Sequence, residues 1–400
     1  MASTVPLLPS IPRDRLKVWV LAPSLVTKDA KIDYYYDFTQ SIEEYTRAFA
    51  ALDLPWVWQP VTLNDYPEII ARIAEEEKAG RSHPVVLNLC DGDEVNGTPG
   101  VSVIRMLEEK GLVYTGSSEY FYTITTSKLP MKEAFDAAGV PTAPWVSITT
   151  PDQDWDAIIE KVGVPLIVKP AVSGGSMGVG VRNVVHNAKE LEEQVRQMFG
   201  GYRGWNLTAD GILAEAFVTG PEFTTMITGS ASIPSSCKVY PPVERVFHES
   251  LPDTEKFLSF DRLWEIYEEE QPMPNEANFF EYKSPARELI APLERISLDA
   301  YAAVGGTGYT RVDIRMDSRN GNLYVLEVNA QCGLSEDENF TSIGAILRLS
   351  TSTYPDMLVE IINDAFRRRK KPTARRKVVN TTTEKKPRKK TVPARVLVKK

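Results

Sequence analysis

GYTRVDIRMDSRNGNLYVLEVN, residues 308–329, is the stretch on which the fold turns. Residues 308–317 and 322–329 alternate as strands do, and Asn320-Gly321 between them is a hairpin signal. A period of two puts Arg311 and Asp313 on one face of the first strand, and Glu327 and Asn329 on one face of the second. A plain two-residue Asn-Gly turn would leave Asp313 and Glu327 on opposite faces. A longer or bulged connection sets them side by side. Two carboxylates and an amide oxygen then meet beside an arginine. Magnesium takes such hard oxygens, usually carboxylates together with substrate phosphates. One charged pair alone would read as a solvent-facing salt bridge; four residues in this order read better as a metal site.

Working backwards, residues 286–304 read as a helix, and 240–284 as a long irregular segment rich in prolines and acids, hence a functional loop or insertion. GILAEAFV (211–218) reads as a strand with GPEFTTMITGS (220–230) as its hairpin partner. In VPLIVKP (164–170), Ser173-Gly174-Gly175-Ser176-Met177-Gly178 and VGVRNV (179–184), two strands flank a glycine turn, an antiparallel hairpin. Its glycines permit the close backbone approach of a phosphate cradle, and Lys169 ends the strand before it. As a pattern this is neither a P-loop nor GxGxxG, so a plain flexible turn fits equally well. In Glu215-Ala216-Phe217-Val218 with Glu222, the backbone between apolar side chains can bond an adenine edge and a carboxylate can take ribose hydroxyls; an ordinary core strand explains the stretch more simply. Residues 127–139 read as a helix with Met131, Ala134, Phe135 and Ala138 as one stripe, stopped by Gly139, and 187–199 as another. Nearer the start, LKVWVL (16–21), PVVLNLC (84–90) and Val113-Tyr114 read as buried strands. Helices at 41–53, capped by Ser41 with Glu44 in capping-box position, and near 65–79 and 99–110 alternate with them, implying parallel βαβ units. In such sheets ligands gather at the carboxyl ends of strands, where Asp91-Gly92-Asp93-Glu94 follows. A last helix runs near 355–369.

The composition, 42% hydrophobic and 25% charged over 400 residues, is that of an ordinary globular chain of two or three domains. No apolar run is long enough to span a bilayer, and MASTVPLLPSIPR lacks the pattern of a signal peptide. Cys90, Cys237 and Cys332 are scattered and odd in number, which argues for a reducing compartment. His83, His186 and His248 show no ligand spacing, which speaks against zinc or a Ser-His-Asp site. From Arg367 to Lys400 there are 16 Lys or Arg and one acid, Glu384, a charge of +15; the other residues carry 30 basic and 53 acidic groups, −23.

Together these residues resemble the D-alanine–D-alanine ligase branch of the ATP-grasp superfamily over roughly residues 84–350. The likeness is carried by CDG (90–92), YTGS (114–117), SK-x-x-x-K (127–132), GVPTAPW (139–145), VPLIVKP, SGGSMGV (173–179), EAFVTGPEFT (215–224), GYTRVDIRMD and LEVNAQCGLS (326–335). Each motif is loose; their order and spacing are jointly specific. The resemblance implies an α/β fold, α+β in part, of three-domain ATP-grasp architecture. Residues 1–120 would form an N-terminal α/β domain, 121–205 a central subdomain with the glycine-rich loop, 206–366 a C-terminal subdomain with the metal site, and 367–400 a basic disordered tail. It further implies that Lys128 and Lys169 contact ATP phosphates and that Gly174, Gly175, Ser176 and Met177 close over them. Glu215, Ala216, Phe217 and Val218 would hold adenine, and Glu222 the ribose. Asp313, Glu327 and Asn329 would bind two Mg²⁺, or Mn²⁺ in their place. Arg311 and the Gly333 amide would stabilise an oxyanion, and Lys283 would match a lysine on a mobile loop over the active site.

The implied activity is ATP-dependent joining of a small-molecule carboxylate to an amine through an acyl phosphate, giving a dipeptide or peptide-like amide in specialised metabolism. True D-alanine–D-alanine ligase is an alternative, as is a nucleotide-binding protein that acts through its basic tail. The sequence departs from the family at two places. The glutamate that grips the first substrate's ammonium has no clear match, with Asp37 or Glu43 as replacements. After Gly333 stand Glu336, Asp337 and Glu338, acids that would repel a second substrate's carboxylate if they face it; if they face solvent, Asn339 or Thr341 seats that group. The tail, KKPRKK (385–390) included, reads as a solvated segment or as a nuclear-import or polyanion-binding stretch. A cytoplasmic protein without membrane contact, dimeric in one version, is the expectation.

Overall fold

The computed structural model describes residues 5–7, 11–25 and 36–369. The first sheet holds strands β1 (Leu16–Pro23), β2 (Trp56–Val61), β3 (His83–Asn88) and β4 (Val113–Tyr114), all parallel, in the order β2-β1-β3-β4. Helices α1 (Thr39–Leu52), α2 (Tyr66–Lys78) and α3 (Val101–Lys110) make the crossovers. Both faces of the sheet are covered, so its strands read as unbroken apolar runs. On one face Val18, Val20, Val85 and Leu87 pack against Tyr45, Phe49 and Leu52 of α1. On the other, Trp19, Leu21 and Val86 pack against α2 and α3. The strand order reverses between β1 and β3, which places a crevice at their carboxyl ends. Helix α1 starts earlier than expected: Phe38 is its N-cap and makes no side-chain cap bond, so Ser41 lies inside the helix.

Helices α4 (Glu119–Thr126) and α5 (Lys128–Ala138) follow, and the left-handed Gly139 ends α5 as its sequence foretold. Of the expected stripe, Met131 and Phe135 are buried, whereas Ala138 is exposed. A smaller antiparallel sheet comes next. It contains β5 (Trp145–Ile148), β6 (Leu166–Pro170), β7 (Val184–Val185) and β8 (Ile212–Ala216), ordered β5-β8-β6-β7, with α6 (Trp155–Val162) and α7 (Ala188–Phe199) on one face. Strand alternation sends Leu166, Val168, Ile212 and Ala214 into that helix-covered core. Ile167, Lys169 and Glu215 therefore point to the opposite face.

The third sheet has six strands. These are β9 (Glu222–Thr228), β10 (Lys238–Val239), β11 (Val243–Phe247), β12 (Phe280–Lys283), β13 (Tyr309–Met316) and β14 (Leu323–Ala330). The short helix α8 (Phe260–Leu263) and the long α9 (Arg287–Ala303) lie between its strands in sequence. The sheet runs β12-β11-β9-β13-β14, antiparallel throughout, with β10 also on β9. Phe121, Met131, Phe135, Leu293 and Tyr301 from α4, α5 and α9 bury one face against Val312, Ile314, Val325 and Val328. Full burial of each phenylalanine contributes about 1.5–3 kcal/mol. The chain closes with α10 (Ser342–Leu349) and α11 (Tyr354–Arg368).

Five expectations differ from the structure. Strands β8 and β9 do not form a hairpin: β8 pairs with β5 and β6, and β9 with β10, β11 and β13. Gly220 turns the chain between the two sheets at φ 139°, where a Cβ would lie 2.2 Å from the Met316 carbonyl oxygen. The boundary at 206 is therefore displaced, because 212–216 belongs to the smaller sheet. Residues 121–138, placed with that sheet from sequence, pack on the large one. Helix α11, grouped with the C-terminal segment, buries Met357, Leu358, Ile361 and Ile362 in the core of the first sheet. The segment 240–284 is bordered by two strands, β11 and β12, rather than irregular throughout. The tail expected at 367–400 lies outside the described residues from 370 on. No described helix is long and apolar enough to cross a membrane.

Candidate active site

The uncovered faces of the two antiparallel sheets and the segment that follows the carboxyl end of β3 line one cleft of about 580 Å³, within the range of small-molecule sites. Its floor is the β13–β14 ladder. Arg311 sits opposite Asn329 and Asp313 opposite Glu327, and the register then shifts between Asp313 and Ile314. Ile314 pairs with Val325, so Leu326 is the extra residue of a bulge. This is the bulged connection that the sequence required. Asp313 is 7% exposed and accepts from Arg311 (Nη2, 2.9 Å), Asn329 (Nδ2, 3.0 Å) and Thr224 (Oγ1, 2.8 Å). Burial alone would lower the Arg311 pKa, but Asp313 and Glu327 turn the shift upward, so its charge is fixed. Glu327 lies 3.5 Å from the Lys128 ammonium.

Lys128 is the first residue of α5; its Nζ also donates to the Ser173 carbonyl at 3.4 Å, which brings it to the glycine-rich loop. Across the cleft, Lys169 pairs with Glu215 Oε1 at 2.7 Å. The other Glu215 oxygen meets Lys132, wholly buried, at 2.8 Å. Burial would raise the Glu215 pKa; the two ammonium groups outweigh it and hold the carboxyl down at about 2. Burial pushes the Lys132 pKa down. For Lys169 burial also pulls down, but Glu215 and Glu327 more than reverse it. Sequence reading noted Lys132 only as the end of SK-x-x-x-K, since a lysine four residues along a helix usually faces solvent.

Residues 173–177 line the same cleft. Gly175, Ser176 and Gly178 have positive φ, and the Met177 amide donates to the Gly174 carbonyl at 3.0 Å. The Met177 side chain is buried with Leu207 and Phe260, so it anchors the loop from behind. Ile167, Val179, Val184, Phe217 and Phe257 form an apolar wall beside it. The Ala216 amide donates to the Pro144 carbonyl at 2.9 Å and that of Phe217 to the Pro165 carbonyl at 3.0 Å. Both are committed, which leaves Val218 as the backbone donor of this stretch for a ligand edge. Glu222 is buried between Arg245 and Arg315, the latter at 2.8 Å. Arg315 also donates to the Val218 carbonyl at 3.2 Å. Both arginines were missed. Arg315 continues the Arg311-Asp313 alternation, a readable signal; Arg245 lay in the segment read as irregular.

Gln331 to Ser335 complete the floor, Gly333 among them. Lys283 is not brought to the cleft. It sits on strand β12, half-exposed, 3.5 Å from Glu244 on the neighbouring strand, so the mobile-loop assignment is corrected. The acids after Gly333 also turn away. Glu336 pairs with Arg47 at 2.7 Å, and Asp337 accepts from Gln40 at 3.2 Å and from the Asn339 and Phe340 amides. Ser335, Phe340 and Thr341 line the cleft instead. Asp37 is engaged by Thr39 at 2.6 Å. The carboxylates at the cleft's parallel-sheet end are Asp91 and Asp93. Surrounding protein desolvates Asp91, reachable though it is from the cleft, and pushes its carboxyl up to about 6.

The donor set of Asp313, Glu327 and the Asn329 amide suits magnesium, which needs few protein carboxylates when phosphates supply the rest. Among the described residues no group of three or more His, Cys, Asp or Glu is arranged to hold a metal unaided, so nucleotide phosphates would have to complete the shell.

Residues 134–363 match the family model described as "D-ala D-ala ligase C-terminus". The solved structure of D-alanine–D-alanine ligase from Bacillus anthracis complexed with ATP is similar, with a TM-score of 0.59 and 21% identity over 88% of this chain and 98% of that one. That of D-alanine–D-alanine ligase from Coxiella burnetii has a TM-score of 0.59 and 17% identity over 88% and 96%. At such identities these two likenesses speak for the fold.

Proposed function

We propose that this chain, which belongs to the D-ala D-ala ligase C-terminus family of ATP-grasp enzymes and so is an ATP-dependent amide-bond-forming ligase, makes a dipeptide or peptide-like amide in specialised metabolism. The observation that carries the reading is the convergence, on one cleft, of Lys128, Lys169, the 173–177 loop and the Arg311/Asp313/Glu327/Asn329 ladder. A carboxylate is a poor electrophile; phosphorylation by ATP gives it a leaving group, and an amine then displaces phosphate. The chain's task is positioning and charge. Lys128 and Lys169 offset the phosphate charge, and the glycine-rich loop covers it. The apolar wall and Val218 receive the adenine, and Glu222, held by its arginines, faces the ribose. Asp313, Glu327 and Asn329 would hold Mg²⁺, whose contribution is to neutralise charge on the transferring phosphoryl group. Arg311 and the Gly333 N–H stabilise the oxyanion of the acyl transfer. Asp91 is placed to receive a substrate ammonium.

One specific observation favours the second reading. With Glu336 and Asp337 bonded to α1, the charge argument against D-alanine as the amine falls away. On the other side, Phe257, Leu258 and Trp264 of the enlarged segment line the cleft and suit a larger substrate. Amino acids supplied in pairs with ATP and Mg²⁺, followed by ADP release and product mass, decide between them. One pair is expected to give an amide with one ADP per bond. Strong turnover with D-alanine alone would establish the second reading, and ADP release without any amide would refute both.

A further inference from the structure

The floor of the cleft turns sharply after β14, and the residue that makes the turn is Gln331. It adopts the left-handed conformation at φ 57°, which side chains other than glycine avoid, and it is 3% exposed. Such a conformation persists only where the surroundings over-determine it, and strained residues of this kind cluster at functional sites. Here the surroundings are specific. The Gln331 side-chain amide donates to the Asn88 carbonyl at 2.6 Å, at the end of β3. Its oxygen accepts from the Ser117 amide at 2.8 Å, in the loop after β4. Asn88 and Ser117 are fully buried. The fit leaves no slack: a Cβ on Gly116 would lie 1.7 Å from the Gln331 side-chain oxygen.

The same turn is pinned again further on. The Leu334 carbonyl accepts from the Tyr354 hydroxyl at 3.2 Å, and the Ser335 hydroxyl donates to Glu44 at 2.8 Å. Gly333 stands between these anchors, with open space where a side chain would be. Its amide is the only one of the turn's groups for which the reading above has a chemical use. An oxyanion donor works only if it is held in place before charge develops.

We infer that Gln331 is a positioning residue: by bridging the ends of β3 and β4 it fixes the 331–335 turn so that the Gly333 N–H points at the reacting carbonyl. This rests on the ligase reading and deepens it. It also explains why a side chain is tolerated where glycine would be easier for the backbone.

The test compares wild type with Gln331→Gly, Gln331→Ala and Gln331→Glu, using the substrate pair found above. Gln331→Gly relieves the backbone and so guards against failure to fold; Gln331→Glu keeps the shape but replaces the donor to Asn88 by a second acceptor. All three are expected to lose about 100-fold in kcat for amide formation, the scale of a lost or misplaced oxyanion donor. The KM for ATP is expected to stay within about threefold, because uniform nucleotide binding is untouched. Single-turnover ADP formation should survive while amide formation slows, a split that mere loss of structure would not produce. Variants that turn over as fast as wild type per folded molecule, or that lose ADP formation and amide formation in parallel, would overturn the inference alone. A wild type that makes no amide from any pair overturns the ligase reading instead.

Discussion

Asp313→Asn and Glu327→Gln are each expected to lower amine-dependent ADP release by roughly 10³-fold, since a metal clamp on a transferring phosphoryl group is worth several kcal/mol and each 1.4 kcal/mol is tenfold. The two changes are near-isosteric, so the ladder should survive them. Arg311 is the group most exposed to the consequences. At present it is neutralised by Asp313 at 2.9 Å. With asparagine there it keeps hydrogen-bond partners but loses its counter-charge, so Asp313→Asn should also cost some stability, whereas Glu327→Gln, whose site is more open, should not. A coupled assay of ADP release beside thermal melting separates the two effects. ADP release unchanged in both proteins would mean that these carboxylates hold no metal, and would favour a nucleotide-binding module without ligase chemistry.

Glu215→Ala is expected to be the most destabilising single change in the cleft. It strands Lys132, which is wholly buried, and strips Lys169 of its partner. Breaking a buried pair by removing one member costs about 3–5 kcal/mol. The pH dependence fixes the mechanism. The folded pKa of Glu215 is depressed from 4.5 to about 2. A depressed carboxyl adds stability that is complete above its unfolded value and is lost as pH falls through the folded one. The gap between wild type and Glu215→Gln should therefore be constant near neutrality and shrink below about pH 4.5. Chemical denaturation at pH 7 and at several acid values reads it. A gap that is absent at pH 7, or that widens in acid, would show that Glu215 is not the anion that pays the desolvation of Lys132.

Much of this site was legible because its information is local. The period-two ladder named Arg311, Asp313, Glu327 and Asn329, and only the bulge at Leu326 had to be granted rather than read. The glycines of 174–178 announced a turn by their backbone freedom. The helix stop at Gly139 was plain for the same reason. What stayed hidden depends on chain segments far apart. Lys132 looks like a surface lysine until Glu215, 83 positions on, is placed beside it. Strands β8 and β9 are neighbours in sequence, so a hairpin was the natural reading; the five-residue connection 217–221, which turns at Gly220, instead carries the chain into another sheet. Lys283 was assigned by resemblance alone, and a strand position beside Glu244 overruled it. The acids after Gly333 carried charge that sequence could count but not aim; Arg47 and Gln40 of α1 turn Glu336 and Asp337 away from the cleft.

Crystals grown with a non-hydrolysable ATP analogue and Mn²⁺ decide whether the β13–β14 ladder holds metal beneath a nucleotide, because manganese is located by its own anomalous signal. Manganese is expected to be coordinated by Asp313 and Glu327 with Asn329 beside it, and the analogue's phosphates to lie against Lys128 and Lys169 beneath residues 173–177. Manganese or phosphate bound elsewhere, with the β13–β14 ladder bare, would contradict this placement.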